Sequence, residues 1–154
     1  MKFRHSENMF VQFRSFRTEY LQQIIEITRR NLTERYNDFI FLDIYRSWPG
    51  AFIIGMAENK VAGFICGGLS GEREARILMF AVDSPYRKMG IGSGLITLFE
   101  QEASKVKVNR IKLEVKTDNI EAINFYKNKG YIVTGLLPSY YNDGSDAYVM
   151  QKFI

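Results

Sequence analysis

The sequence predicts a single α/β domain in which helices pack on a mixed, mostly antiparallel sheet. The chain has 154 residues, one domain's worth, and segments with the two-residue alternation of strands are interleaved with segments of helical three- and four-residue spacing. Apolar residues make up 46% of the chain, including 12 Phe and 9 Tyr, which supply enough buriable area for a packed core. We therefore expect one domain over residues 1–154, with about seven strands and about four helices in the order βααβββαβαββ.

The first half of the chain predicts a strand, two helices and a hairpin. The expected elements are a strand at 11–17, helices at 19–31 and about 37–47, and paired strands at 51–58 and 61–70. Thr18 stands where the N-cap of the first helix is expected. Glu58-Asn59-Lys60 lies between two apolar segments, which is typical of a tight polar hairpin turn.

The second half changes from strand to helical periodicity and back. The expected elements are a strand at 76–82, a helix at about 90–106, a strand at 110–116, a helix at 120–129 and two strands at about 131–136 and 146–153. Gly130 is the expected C′ residue that ends the last helix.

Composition limits the chemistry. The one cysteine, Cys66, forms no intramolecular disulfide or cysteine-based zinc site, and one histidine, His5, argues against most metal centres and Ser–His–Asp triads. No metal is therefore expected, and catalysis would have to use carboxylates, tyrosines or the backbone. Apolar runs such as 52–57 are far shorter than a membrane span, and no secretion signal is visible at residues 1–10, so we expect a cytoplasmic protein without a membrane partner.

The charge balance is mildly basic. The chain carries 21 Lys and Arg against 17 Asp and Glu, a formal net charge of +4, spread along its whole length. This distribution is a weak nucleic-acid signal and equally fits a domain that binds a phosphate-bearing cofactor.

A glycine-rich junction between strand and helix predicts an anion site. Over residues 87–94, R-K-M-G-I-G-S-G, two glycines would let backbone N–H groups approach an anion, and Arg87 and Lys88 add positive charge. Leu95 replaces the third glycine of the dinucleotide fingerprint, and no GxxxxGK motif occurs. A glycine that only eases a tight turn is the structural alternative.

The same junction carries a family resemblance. Residues 82–95, V-D-S-P-Y-R-K-M-G-I-G-S-G-L, resemble the acetyl-CoA-binding segment of GNAT N-acetyltransferases, and residues 113–131, L-E-V-K-T-D-N-I-E-A-I-N-F-Y-K-N-K-G-Y, resemble the family's second half. The segments N-L-T-E-R-Y, S-W-P and Y-Y-N-D-G-S-D-A-Y-V-M are similar to catalytic subunits of the NatA type, which share most features with RimI-type ribosomal-protein acetylases. The resemblance covers about residues 10–154.

The resemblance implies an acetyl-CoA-dependent enzyme that acetylates protein or peptide N-termini, and it implies roles for particular residues. The pyrophosphate would be held by Arg87, Lys88, Met89, Gly90, Ile91, Gly92 and Ser93. The pantetheine would lie along the backbone of Phe80, Ala81 and Val82, beside Asn119. Glu114 would be the general base and Tyr126, near the sulfur, the general acid. The peptide would be bound by Glu34, Tyr36, Arg76, Tyr140 and Tyr141.

The catalytic candidates also have structural interpretations. Strand alternation alone places Glu114 with Lys112 and Lys116 on a polar, solvated face. Tyr126 and Phe125 at helical spacing are typical of core residues.

The peptide-binding candidates have structural alternatives too. Tyr140 and Tyr141, followed by Asn-Asp-Gly, are typical of a surface turn, and Glu34 of a loop acid. Two positions depart from the relatives: Thr33 stands where proline is common, and Arg76 stands where relatives carry histidine or tyrosine. An arginine cannot be the base, and close to Glu114 it would favour the ionised carboxylate.

The sequence leaves three alternatives to N-terminal acetylation open. They are a GNAT enzyme acting on lysine or a small amine, a basic nucleic-acid-binding module, and an acyl-CoA sensor without turnover. The nucleic-acid alternative needs basic and aromatic residues clustered on one sheet face, and the sequence does not show them. An auxiliary subunit is left open.

Overall fold

The fold is an eight-stranded sheet covered by helices on both faces. The structure, a computed structural model, describes the backbone of residues 2–4 and, in full, residues 10–32, 34 and 36–154. The strands are β1 (Lys2–Arg4), β2 (Phe10–Ser15), β3 (Ile53–Ala57), β4 (Lys60–Gly71), β5 (Glu74–Val82), β6 (Arg110–Lys116), β7 (Ile132–Leu137) and β8 (Ala147–Phe153). The helices are α1 (Leu21–Asn31), α2 (Ile40–Ser47), α3 (Ile91–Lys105) and α4 (Ile120–Asn128).

The predicted order of elements is confirmed, with one short strand added. The strand order in the sheet is β1-β2-β3-β4-β5-β6-β8-β7, and β5–β6 is the parallel pair among these strands. The added strand, β1, has three residues and pairs with Phe10–Gln12 of β2. A segment this short carries no alternation from which a strand could be predicted.

Local turn chemistry follows the prediction at one place and departs from it at another. Glu58 and Asn59 both have positive φ, 53° and 63°, so β3 and β4 are joined by the two-residue turn that matches strand twist. The predicted N-cap role of Thr18 is wrong. Thr18 opens a 3-10 turn, α1 starts three residues later, and no side chain caps it.

Two apolar clusters hold the helices to opposite faces of the sheet. On one face α3 and α4 bury Leu95, Phe99 and Ile123. On the other face α1 and α2 bury Ile24 and Phe41. The sheet is therefore the middle of three layers, and its edges and openings are the places where a ligand can reach the backbone.

A bulge reverses the alternation of β5. Against β4, Met79 pairs with Cys66 and Ile77 with Gly67, so Leu78 is an extra residue. Before the bulge Ile77 packs under α3, whereas after it Met79 packs under α1 and α2. The second half of β5 is thus turned relative to the first.

The two parallel strands part directly before this bulge. β5 and β6 pair only over Glu74–Arg76 and Arg110–Lys112, although β5 continues to Val82 and β6 to Lys116. Beyond that point the edge of β5 that would face β6 is open. A wedge-shaped gap therefore lies in the middle of the sheet.

The start of α3 contains two glycines with different packing, which gives the first testable expectation. A Cβ on Gly94 would lie under 3.0 Å from three atoms of the buried Phe13 ring, whereas a Cβ on Gly92 would lie 3.5 Å from Phe125. We expect Gly94→Ala to lower the free energy of unfolding by about 1–3 kcal/mol, since overpacking outweighs the helix propensity of alanine. Gly92→Ala, the matched control, should not be destabilised. Denaturant unfolding measures both, and equal stability of the two variants would contradict this account of the packing.

Candidate active site

The gap between β5 and β6 opens into a first cavity, here called the cofactor cleft. It has a volume of about 400 Å³. Its walls come from the end of β5, the loop from β5 to α3, the start of α3 and one face of α4. Most residues predicted to bind the cofactor line it: Phe80, Ala81, Val82, Arg87, Lys88, Gly90, Ile91, Gly92, Ser93, Asn119 and Tyr126.

The start of α3 presents backbone donors to this cleft that no described residue is recorded to pair. Gly90 takes the left-handed conformation, φ 81°, directly before the helix, and no side chain caps the helix. The first recorded α-helical bond runs from the Gly94 amide to the Gly90 carbonyl, so the preceding N–H groups have no partner within the helix. Together with the helix dipole and the exposed Lys88 beside them, these donors form a site suited to an anion.

Two of the residues predicted to bind the cofactor, Met89 and Asn119, have roles in the fold. Met89 does not line the cleft: the residue is 9% exposed and packs in the core. Its neighbours Lys88 and Gly90 both have positive φ and form the turn. Asn119 lines the cleft and also caps α4, where its Oδ1 accepts a bond of 3.2 Å from the Ala122 amide.

A second cavity of about 410 Å³, here called the acceptor cavity, lies on the other side of the gap. All of the residues predicted to bind the peptide line it, together with the predicted base: Glu34, Tyr36, Arg76, Glu114, Tyr140 and Tyr141. The two cavities share six residues: Asn31, Leu32, Phe80, Asn119, Ala122 and Tyr126. A molecule in one cavity can therefore meet a molecule in the other at the gap.

Glu114 is a shielded carboxylate. Its side chain is 8% exposed, so the interpretation of a solvated strand face is wrong for this residue. Arg76 Nη2 donates a hydrogen bond to Glu114 Oε1 and another, of 2.7 Å, to the Tyr140 hydroxyl, which in turn lies 3.4 Å from Glu114 Oε1. Burial disfavours the charged guanidinium, but Glu114 and Tyr140 outweigh this effect and raise the pKa of Arg76.

Tyr126 stands between core and cavity. Its ring is partly buried and packs against the core, 5.5 Å from the ring of Phe125 and 5.8 Å from that of Tyr131. It also lines both cavities. Burial raises its pKa well above the usual range of tyrosine. Tyr126 therefore keeps its proton near neutral pH and can act as a hydrogen-bond donor.

The loop from β7 to β8, residues 138–146, is here called the tyrosine loop and walls the acceptor cavity. It is a surface turn, since the Tyr141 amide bonds to the Ser145 carbonyl and the Gly144 amide to the Tyr141 carbonyl. It also covers the site. Burial raises the pKa of Tyr141 and, less strongly, that of Tyr36 on the opposite wall.

Besides Arg76, two residues from outside the tyrosine loop, Glu34 and Lys116, hold it over the cavity. The Asn142 amide donates to Glu34 Oε1 at 3.2 Å, which joins this loop to the one between α1 and α2. Lys116 Nζ lies 2.9 Å from Asp143 Oδ2 and 5.1 Å from the Tyr141 ring. Thr33, where the relatives have proline, lies outside the described residues.

Sequence reasoning missed several lining residues. Ala122 lies between Asn119 and Tyr126 on one face of α4, so helical spacing could have identified it. Lys116 shares a strand face with Glu114, two residues away. Asn31 and Leu32 carried no local signal, because the fold brings the end of α1 to the gap.

No local pattern in the sequence indicates the buried carboxylate that lies beside the cofactor cleft. Asp83 is 8% exposed and lies where β5 ends. Arg30 holds it with two bonds, Nε to Oδ1 at 3.2 Å and Nη2 to Oδ2 at 2.8 Å, and Asn31 donates to Oδ1 at 2.9 Å. The bonds from Arg30 outweigh burial and lower the pKa of Asp83.

The described residues contain no helix that is long and apolar enough to cross a membrane. Nor do their His, Cys, Asp and Glu side chains come together in threes as a metal ion would require.

Comparison with known proteins assigns this site to a family. Residues 19–131 match the acetyltransferase (GNAT) family, and the chain belongs to it. An N-alpha-acetyltransferase of Sulfurisphaera tokodaii is 30% identical over 151 residues, covering 90% of each chain. The crystal structure of Ard1 from Thermoplasma volcanium is 40% identical with a TM-score of 0.90, covering 94% of this chain and 97% of that one.

A further solved structure shows what such a fold can hold. Naa50 of Arabidopsis thaliana, in complex with a bisubstrate analogue, CoA-Ac-MVNAL, is 28% identical with a TM-score of 0.83 and covers 92% of this chain and 97% of that one. The family assignment confirms the expectation of an N-acetyltransferase that uses acetyl-CoA. It also favours the enzyme over the nucleic-acid-binding alternative.

The lowered pKa of Asp83 gives a pH-dependent expectation. A carboxyl group whose pKa is lowered by folding stabilises the protein above its unfolded pKa, about 3.9, and loses that contribution as the pH falls through the folded value. We expect Asp83→Asn to lower the free energy of unfolding by about 1–3 kcal/mol at pH 7, because the Arg30 donors lose their carboxylate. The deficit should shrink below about pH 4.

Denaturant unfolding between pH 7 and pH 3 measures this deficit. Asp118→Asn, a substitution of the same kind at an exposed aspartate, is the matched control. A deficit for Asp83→Asn that stays constant down to pH 3 would show that the carboxylate charge is not what stabilises the fold.

Proposed function

We propose that this enzyme transfers the acetyl group of acetyl-CoA to the N-terminal α-amine of a protein or peptide. The observation that carries the proposal is that two cavities meet at the parted strands, with an anion site at the far end of one and a shielded carboxylate in the other. The N-alpha-acetyltransferases among the relatives, and the CoA–peptide analogue bound by Arabidopsis Naa50, support the same reaction.

Acetyl-CoA would occupy the cofactor cleft with its diphosphate on the start of α3. The free N–H groups there and Lys88 supply the donors and the charge that a diphosphate needs. The pantetheine has amide groups of its own, so it can pair with the open edge of β5 at Phe80–Val82 as an added strand would. The thioester would then lie between Phe80 and Tyr126, at the junction of the cavities.

The proposed chemistry is direct transfer. The amine nitrogen attacks the thioester carbonyl, the new N–C bond forms, and the C–S bond breaks. Glu114 takes the proton that the amine loses, directly or through one water, and Tyr126 donates a hydrogen bond or a proton to the departing thiolate. Arg76 cannot accept a proton, so its role is to hold the Glu114 carboxylate and the Tyr140 hydroxyl in place.

Proton arithmetic favours the α-amine over lysine. An α-amine has a reference pKa of about 7.7–8.0 and is partly neutral at pH 7, whereas lysine, at about 10.4, is almost wholly protonated. At about 1.36 kcal/mol per pKa unit, removing the lysine proton costs roughly 3 to 4 kcal/mol more. A site whose proposed base is a carboxylate held by Arg76 is better matched to the amine that loses its proton more easily.

The lining of the acceptor cavity suits a peptide that enters with its free N-terminus first. Glu34 and the tyrosine hydroxyls can bond the first peptide groups, while the rings and Leu32 surround the first side chain. This composition predicts tolerance of several first residues rather than sharp selection. Action in the cytoplasm, and on protein rather than small-molecule amines, belongs to the same proposal.

The role of Glu114 gives a kinetic expectation. Glu114→Gln should lower turnover about 100-fold or more, the usual scale of a general base, because an amide cannot take the amine proton. The dissociation constant for acetyl-CoA should stay within about twofold, since Glu114 lies outside the cofactor cleft.

Steady-state kinetics and calorimetry measure the two quantities. Glu72→Gln, which changes an exposed glutamate away from both cavities, is the matched control. Turnover of Glu114→Gln equal to that of the control would remove Glu114 from the mechanism.

The acceptor itself is tested with one pair of peptides. We expect a peptide with a free N-terminus and an internal lysine to be acetylated at the α-amine, because of the difference in pKa. The same peptide with a blocked N-terminus should remain unmodified. Tandem mass spectrometry locates the acetyl group, and acetylation of the lysine in both peptides would favour a lysine acetyltransferase instead.

A further inference from the structure

Arg87 belongs to the glycine-rich loop, but its guanidinium is engaged by the protein itself. Nη2 donates to Asn31 Oδ1 at 2.6 Å, and Nε donates to the Val82 carbonyl at 3.0 Å. These bonds join the loop to the end of α1 and to the end of β5. Lys88, the next residue, also lines the cofactor cleft, and among the described residues its side chain has no recorded hydrogen bond or ion pair.

Asn31 is a connector with a fixed orientation. Its Nδ2 donates to Asp83 Oδ1 at 2.9 Å and to the Ile27 carbonyl at 2.8 Å, so its Oδ1 is turned toward Arg87. The amide therefore joins a cation on one side to a carboxylate on the other.

The chain of contacts ends at a second arginine. The guanidinium of Arg30 donates two hydrogen bonds to the Asp83 carboxylate, and this bidentate geometry fixes both groups. Asp83 is also tied by its backbone, since its amide donates to the Ala62 carbonyl at 2.7 Å. Hydrogen bonds thus join the side chains of Arg30, Asp83, Asn31 and Arg87, in this order, into a continuous polar link. The backbone of Asp83 ties this link to the sheet.

This link passes the place where both substrates would lie. Asn31 and Leu32 are walls of the cofactor cleft and of the acceptor cavity, and Val82 is a wall of the cofactor cleft. A change in the position of α1 relative to the glycine-rich loop would alter both cavities together.

We propose that Arg87 is a positioning residue that holds the end of α1 against the glycine-rich loop. Because the end of α1 is a wall of the acceptor cavity, Arg87 thereby also positions that cavity. The diphosphate charge is then met by Lys88 and the amides of α3. This inference rests on the proposed function, because it assigns the residue a role in binding the peptide acceptor.

The roles of the two adjacent cations, Arg87 and Lys88, can be distinguished by kinetics. Arg87→Gln and Lys88→Gln are compared by the peptide KM at saturating acetyl-CoA, where a lost phosphate contact has no effect on peptide binding. We expect Arg87→Gln to raise the peptide KM about fivefold or more, on the scale of a lost hydrogen bond, with kcat less affected. Lys88→Gln should raise the acetyl-CoA dissociation constant and leave the peptide KM within about twofold.

A conservative variant distinguishes charge from geometry. Arg87→Lys keeps the positive charge but loses the planar fork that bridges Asn31 and Val82. We expect Arg87→Lys to resemble Arg87→Gln in its peptide KM. Recovery of the wild-type peptide KM in Arg87→Lys would overturn the proposal, as would identical behaviour of the two glutamine variants.

A double-variant cycle tests the link without any substrate. If Arg87 acts through Asn31, the double variant Arg87→Gln with Asn31→Ala should lose less stability to denaturant than the sum of the two single losses, because the Arg87–Asn31 bond is lost in each single variant. Additive losses would overturn the proposal. This measurement also separates the positioning role of Arg87 from the proposed acetyltransferase function. A wild-type protein that acetylates no peptide would refute the proposed function, and the unfolding cycle would still decide whether the link exists.

Discussion

The parting of β5 and β6 is the constraint on which the site depends. Parallel strands normally bond along their length, but here the pairing stops after Arg76, and the bulge at Leu78 turns the rest of β5. Backbone groups in the middle of a sheet are thereby left for a ligand rather than for a neighbouring strand, at the position where unpaired polar groups would otherwise be costly. The helices on both faces supply the walls of the two cavities, so that the cofactor and the acceptor can approach the gap from opposite sides.

Two shielded carboxylates, Asp83 after the end of β5 and Glu114 in β6, are each paired with an arginine. Asp83 uses both of its oxygens, accepting bonds from Arg30 and Asn31, as expected of a group that fixes structure. In the described part of the chain, by contrast, the bonds to Glu114 from Arg76 and Tyr140 both end on Oε1. The same pairing therefore has different consequences: one carboxylate is fully committed to the fold, and the other retains an oxygen with which it can accept a proton in the proposed reaction.

The sequence predicted the helices, the order of strands and most of the lining residues, because periodicity and glycine placement are local signals. It could not predict the surroundings of Glu114. Alternation places this residue on the same strand face as two lysines, but Arg76 and the tyrosine loop, which come from other parts of the chain, cover it. The same limit applies to Asp83, whose partner Arg30 is 53 residues away. The bulge at Leu78 also left no local trace, since it is visible only as a shift in register against β4.

The binding of both substrates at the gap can be observed in a crystal structure of this enzyme with a bisubstrate analogue, CoA joined through an acetyl group to the α-nitrogen of a short peptide. We expect the diphosphate to lie on the start of α3 and the pantetheine to lie along Phe80–Val82. The acetyl group should lie beside Tyr126, and the peptide should extend past Glu114 under the tyrosine loop. A peptide and pantetheine that enter from the same side of the sheet, or an acetyl group remote from the gap between β5 and β6, would contradict this expectation.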